Sequence, residues 1–296
     1  MRLATYDLNH QQHLGIVHGD TIASLSALAT AFGRDASLFH GLGHLLSEGH
    51  RAMDAARELS QRAVRDWNEW LPLTSVHLQC PIPKPSKIVA IGLNYRDHAE
   101  EAHLAIPKEP LFFAKFVSAI NGPFDPVLIP RSDPEIDYEA ELAVVIGRTA
   151  KHVSADDAYD YVAGYMVLND VTARKWQFSD KQWTRGKSSD TFCPAGPWLT
   201  TRDEIPDPHH LRVLARLNGR IVQDSDTSNM IFGVPQLIEH ICEAITLEPG
   251  DIIATGTPAG VGVFRKPPSF LKPGDVIEVK IDGLGSIRNT MQAEPL

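Results

Sequence analysis

The 296-residue chain lacks the features that mark many protein classes at once. Its three cysteines, Cys80, Cys193 and Cys242, are odd in number, far apart and in no C-x-x-C pair, which argues against a disulfide framework and leaves them as small buried hydrophobes. No apolar run approaches the roughly 18 residues of a membrane span, and Met1 to Asp7 has no basic-then-apolar signal, so a cytoplasmic location is expected. Basic charge is also short: 28 Lys and Arg against 37 Asp and Glu give a formal net charge of −9, which argues against nucleic acid or an anionic membrane as partner. An acidic ligand would need a local cation. There is no His-Glu-x-x-His, so a zinc peptidase is excluded. The glycine-rich stretch Thr255–Gly262 is followed by no Gly-Lys-Ser/Thr, so it is not a P-loop.

What is present is an ordinary globular composition, 43% hydrophobic and 22% charged, in a chain long enough for a core that needs no staple. Short strand-like pieces at 2–7 and 15–18 precede a helical stripe of Met53, Ala56, Leu59, Ala63, Trp67 and Trp70, spaced by three or four. The proline-rich stretch Cys80–Pro85 breaks helices, and a domain edge is placed near residue 75, giving a small N-terminal domain (1–75) and a larger one (76–296). Beyond it come strand-like runs at 88–91, 111–113, 142–146, 166–168, 213–217, 252–254 and 276–281. Two helices interrupt them, one opened by a Ser154/Asp157 capping box and running through Tyr165, the other opened by Pro235 and reaching about Ile245. So many strands with few helices indicate an α+β or mainly β domain.

The most informative segment is Asp137-Tyr138-Glu139-Ala140-Glu141, entering the apolar run Leu142–Ile146. The segment reads as a strand, on which Asp137, Glu139 and Glu141 share one face. Neighbours about 7 Å apart would repel by roughly 2 kcal/mol per pair at an effective dielectric near 20. Protonation, nearby Arg or Lys, or a bound cation could relieve this, and the pattern alone also fits a solvated acidic edge. Oxygen-only ligands favour Mg²⁺, Mn²⁺ or Ca²⁺ over zinc. Asp170 offers a further acid at a strand end, and Arg174 and Gln177 would lie one and two turns on if a helix begins there. Arg185-Gly186-Lys187 places a cation beside a flexible glycine, and the loop Thr255–Gly262 is built to bring backbone N–H groups close to a ligand. If Asn94–Glu101 is helical, His98 and Glu101 share a face as a base and the group that orients it, although such a histidine also fits a plain surface position.

Together, Gly92–His98, Asp137–Leu142, Asn169–Arg174, Gly186–Ser188 and Pro249–Gly262, in this order, resemble the fumarylacetoacetate hydrolase family from about Lys87 to Ile287. The resemblance implies a mixed β-sandwich roll beside the small N-terminal α/β domain, usually in a homodimer. It implies Mg²⁺ or Mn²⁺ held by Glu139, Glu141 and Asp170, with Asp137 outside that set. It implies that Arg174, Gln177, Lys187 and Thr257 hold the substrate's carboxylate and keto oxygens, and that His98 and Glu101 form a catalytic dyad on a lid, with Lys187 stabilising the enolate. The chain looks more like the short bacterial members than like fumarylacetoacetase itself, whose larger N-terminal domain has no counterpart in residues 1–75. The implied activity is C–C bond hydrolysis of an acylpyruvate or a 2,4-dioxo-3-deoxy sugar acid to pyruvate and a second acid. The alternatives are oxaloacetate decarboxylation through the same enolate and metal-dependent dicarboxylate binding without turnover.

Overall fold

The chain begins as an antiparallel meander of Arg2–Leu8, Gln11–His18 and Thr21–Ser24. In the computed structural model, which describes residues 1–295, Arg2 and Leu3 pair in turn with Thr200 and Leu199. The meander thereby joins a 12-stranded sheet. That sheet continues through Cys193–Thr201, Val162–Asn169, Ala140–Ile146, Ile252–Ala254 and Ile88–Gly92 to an edge strand, Leu111–Lys115. A five-stranded sheet built on Arg220–Asp226, Arg212–Leu217, Val276–Ile281, Gly285–Ala293 and Val127–Ile129 packs against its central strands. Covered on both faces, those central strands read as continuous apolar runs. The result is the expected α+β, mainly β architecture of two packed sheets.

Helices Leu25–Ala31, Leu42–Ser47 and His50–Asp66 belong to residues 1–75. Their Leu28, Leu45 and Ala56 lie in one apolar cluster with Val144 and Ile253 of the central strands. Residues 1–75 and the rest of the chain share a sheet and a core. All three cysteines are buried and free.

Three local expectations need correction. The apolar stripe ends with the helix at Asp66, and Trp67 and Trp70 pack on the core from the extended segment beyond it. The segment opened by Ser154, whose hydroxyl does bond Asp157 at 2.8 Å, is a 3-10 helix that stops at Tyr161. It cannot reach Tyr165, because Val162–Asn169 is claimed as a strand by pairing on both sides, and Gly164 lies where a Cβ would be 2.1 Å from the Thr200 carbonyl oxygen. The Pro235 helix forms as expected, over Val234–Ala244. Finally, the strand carrying the acids is interrupted at Tyr138 and Glu139, with consequences for Asp137 described next.

Candidate active site

The interruption redistributes the acids. Asp137 sits in the short strand Ile136–Asp137, which pairs with Thr172–Ala173 instead of continuing the long sheet. Its Oδ1 accepts from the N–H groups of Tyr138 and Gly262, and its Oδ2 from the N–H of Val263 and Nε of Arg174. Asp137 is therefore a buried anchor outside the cluster that the other two acids form with Asp170. At Glu139, the backbone N–H donates to Asn169 Oδ1 and the carbonyl accepts from the Asp170 N–H. This crosslink draws the end of Val162–Asn169 against Glu139. Glu139, Glu141 and Asp170 then each place a carboxylate oxygen within 4.8 Å of the others, all buried.

Three cations meet them. Lys187 Nζ donates to Glu139 Oε2 and Asp170 Oδ2, both at 2.7 Å. Arg174 spans Asp137 and Glu139, each 2.8 Å away, and donates through Nη1 to Gln177 Oε1 on the next turn of the helix Arg174–Ser179. Its Nη2 also lies 2.8 Å from Asp137 Oδ2, so the guanidinium meets that carboxylate through two nitrogens. Lys115, at the inner end of the edge strand, donates to Asp170 Oδ1 at 2.6 Å and to the Lys187 carbonyl. Gly186 lets the short helix Thr184–Lys187 lie against Arg174–Ser179, since a Cβ there would stand 2.8 Å from the Gln177 backbone nitrogen.

The electrostatics differ among the acids. Burial pushes Glu139 up, but Lys187 and Arg174 outweigh it and hold the carboxyl well below the usual range. Burial lowers Lys187, and the charges of Asp170 and Glu139 more than restore it, so it stays an ammonium. Glu141 accepts only the Gly256 N–H at 2.9 Å; burial, then Asp170 and Glu139, raise it far above an ordinary carboxylate. A buried carboxylate in that state fits a cation it can bind, because a positive ion between these oxygens reverses the sign of its surroundings. With all groups ionised, the carboxylates of Asp137, Glu139, Glu141 and Asp170 outnumber the three cations by one. A divalent ion would turn that into an excess of one, the complement of a carboxylate ligand. The residues present therefore fit a divalent metal.

The dyad lies across the cavity from this group. Within the helix Arg96–Glu101 the Asp97 carboxylate accepts from the His98 N–H and from Ser225 Oγ. His98 Nδ1 is 3.3 Å from Glu101 Oε2, while Glu101 Oε1 accepts the Gly260 N–H. His98, Glu139, Arg174, Gln177, Lys187 and Thr257 all line one cavity of about 230 Å³. Asp170, Glu141 and Glu101 stand behind that lining.

Two expectations change in detail. The N–H groups of Gly256, Gly260 and Gly262 serve Glu141, Glu101 and Asp137, so this loop binds the chain's own acids where a ligand was expected. The Thr257 hydroxyl donates to the Ala140 carbonyl and accepts from Gln223, so it is committed to the scaffold. Sequence reasoning missed Lys115, whose only signal was a lysine ending an apolar strand, and the anchoring role of Asp137. It also missed Asn94, whose side chain ties Thr255 and Phe232 together beneath the dyad helix.

Comparison with known proteins places the chain in a family. The chain is 43% identical over 295 residues to human mitochondrial oxaloacetate tautomerase FAHD2A, covering 98% of this chain and 91% of that one. Among solved structures it resembles maleylpyruvate hydrolase from Sphingobium, in complex with manganese(II) and pyruvate, at 33% identity and a TM-score of 0.82 with both chains fully covered. It also resembles 5-carboxymethyl-2-hydroxymuconate delta-isomerase from Mycobacterium smegmatis, at 31% identity and a TM-score of 0.77 over the whole of both chains. No helix among the described residues is long and apolar enough to cross a membrane. The fumarylacetoacetate (FAA) hydrolase C-terminal family matches residues 87–292, and with that match and these relatives the chain belongs to the fumarylacetoacetate hydrolase family of enzymes.

Proposed function

We propose that the protein hydrolyses the C3–C4 bond of a 2,4-dioxo acid of the acylpyruvate type, giving pyruvate and a second acid. The observation that carries this reading is His98, paired with Glu101 behind it, lining the same cavity as Glu139, Arg174 and Lys187. A divalent ion held by Glu139, Glu141 and Asp170 would supply fixed positive charge to the substrate's carboxylate and 2-oxo oxygens. Arg174, which lines the same cavity, supplies positive charge to the carboxylate, with Gln177 holding the guanidinium in place. Glu101 accepts from His98 Nδ1–H, so Nε2 is free to take a proton from water, whose oxygen then bonds to C4. The C3–C4 bond breaks with its electron pair passing into the enolate of pyruvate. The Lys187 ammonium, already oriented, stabilises that charge, and protonation at C3 releases pyruvate.

A second reading is favoured by the identity to oxaloacetate tautomerases: the protein interconverts the keto and enol forms of oxaloacetate, or decarboxylates it, through the same enolate. Neither reaction needs attacking water, and the dyad would then only move a proton at C3. Magnesium or manganese is the ion we infer from the all-oxygen donor set. A cytoplasmic location and a homodimer complete the proposal; the curated relatives are named mitochondrial. The test is incubation with Mg²⁺ or Mn²⁺ and an acylpyruvate, a 2,4-dioxo-3-deoxy sugar acid or oxaloacetate. Pyruvate with a second acid supports hydrolysis. Carbon dioxide, or enol interconversion alone, supports the second reading, and no turnover of any of them leaves a dicarboxylate binder.

A further inference from the structure

The cavity is chemically lopsided. Its ionisable lining is His98, Glu139, Arg174 and Lys187, and both of these cations are already paired with acids. The rest is almost wholly apolar. From Lys187, whose Nζ lies 5.3 Å from the centroid of the Phe113 ring, the wall passes to Trp183, which meets Phe113 edge-on at 5.3 Å and 74°. The Trp183 indole is seated on Gly92, where a Cβ would stand 2.5 Å from its ring, so its position is fixed by close backbone approach. Leu104 and Phe178 also line the cavity yet remain 56% and 63% exposed, apolar surface that an occupant would cover. Among the described residues no further cation lines the cavity to receive a second carboxylate; the nearby Arg185 is held by both oxygens of Asp180.

We infer that the site selects 2-oxo acids whose far substituent is uncharged and apolar, with Trp183 and Phe113 as the residues that determine it. This rests on the 2-oxo acid reading above. A charged far end would be stripped of water against these rings with nothing to compensate it, whereas an alkyl group gains from every methylene covered. The consequence is that an acylpyruvate with an alkyl acyl group suits the cavity better than oxaloacetate, whose second carboxylate would face Phe113 and Trp183.

Calorimetric titration of the Mn²⁺-loaded protein with oxamate, N-propyloxamate and N-oxalylglycine tests this, since the three share a 2-oxo acid head and differ only in the tail. A buried methylene is worth roughly fourfold in affinity, so N-propyloxamate should bind at least about tenfold tighter than oxamate, and N-oxalylglycine no tighter than oxamate. Trp183→Ala should reduce the propyl advantage to about threefold or less by removing the surface that covers the tail, with oxamate affinity changing far less than that of N-propyloxamate, and Trp183→Phe should retain most of it. N-Oxalylglycine binding as tightly as N-propyloxamate would overturn the selectivity and leave the 2-oxo acid reading intact. Loss of oxamate binding in Trp183→Ala would overturn the role given to Trp183. Failure of all three probes on the unmodified protein would sink the 2-oxo acid reading and this inference with it.

Discussion

Replacing Asp137 with Asn changes one oxygen to an NH2 group and leaves the volume almost untouched. In the native protein both carboxylate oxygens accept, from three backbone N–H groups and from Nε of Arg174, in a fully buried position. The amide must turn a donor towards at least one pair of these donors, and Arg174 loses one of the two carboxylates that neutralise it. Removing one partner of a buried ion pair costs about 3–5 kcal/mol, and a hydrogen bond to a charged group contributes about 1.5–3 kcal/mol, so the two views of the same contact meet at a loss of about 3 kcal/mol. Urea unfolding of the Asp137→Asn protein should show that loss as a lower midpoint with an unchanged slope. Because Arg174 is released, KM for a 2-oxo acid should rise more than kcat falls. A variant with the wild-type midpoint and KM would refute the assignment of Asp137 as the anchor of Arg174.

Other perturbations have equally definite outcomes. Glu141→Gln removes a carboxylate whose ionised form burial and its acidic neighbours disfavour, so in chelator the variant should be as stable as wild type or more so, while the rise in Tm that Mg²⁺ or Mn²⁺ gives the wild type should vanish. Gly186→Ala puts a Cβ 2.8 Å from the Gln177 backbone nitrogen; the helix carrying Lys187 must shift, at about 1–3 kcal/mol, and turnover should fall with it. His209 accepts the Val234 N–H at Nε2, and burial lowers its pKa from 6.5 although Asp207 opposes this. A histidine whose folded pKa is depressed contributes stability that is fully present above 6.5 and is lost as the pH falls through the lower folded value. Unfolding midpoints should therefore drop between neutral and mildly acidic pH, and His209→Gln should flatten that part of the profile; an unchanged profile counts against it.

Much of the site was readable because its chemistry is written in short motifs. Glu139, Glu141 and Asp170 could be paired from the sequence, and His98 and Glu101 fall three apart on a short helix as expected. What periodicity could not reveal was the break at Tyr138 and Glu139. It depends on Asp137 pairing across to Thr172 and capping Gly262, both long-range contacts. Lys115 was invisible for a similar reason: a lysine closing an apolar run looks like a strand end meeting solvent, and only the fold brings Asp170 to it. The helix ending at Tyr161 shows tertiary pairing overriding local preference, since both neighbours of Val162–Asn169 need it extended. The N-terminal meander could be recognised as strands, but its junction with Cys193–Thr201 is a pairing about 200 residues away in sequence that no local pattern reports.

The proposed reaction has one group of buried acids and Lys187, faced by His98, make pyruvate from a 2,4-dioxo acid. Its most direct test is stoichiometric measurement of pyruvate and the second acid from an alkyl acylpyruvate, with Mn²⁺, for the wild type, Glu139→Gln and His98→Gln. The wild type should release the two products in equal amounts, and both variants should lose turnover by about a hundredfold or more, the scale expected for removing an electrostatic stabiliser or a general base. Full activity in Glu139→Gln without added metal, or in His98→Gln, would contradict the account.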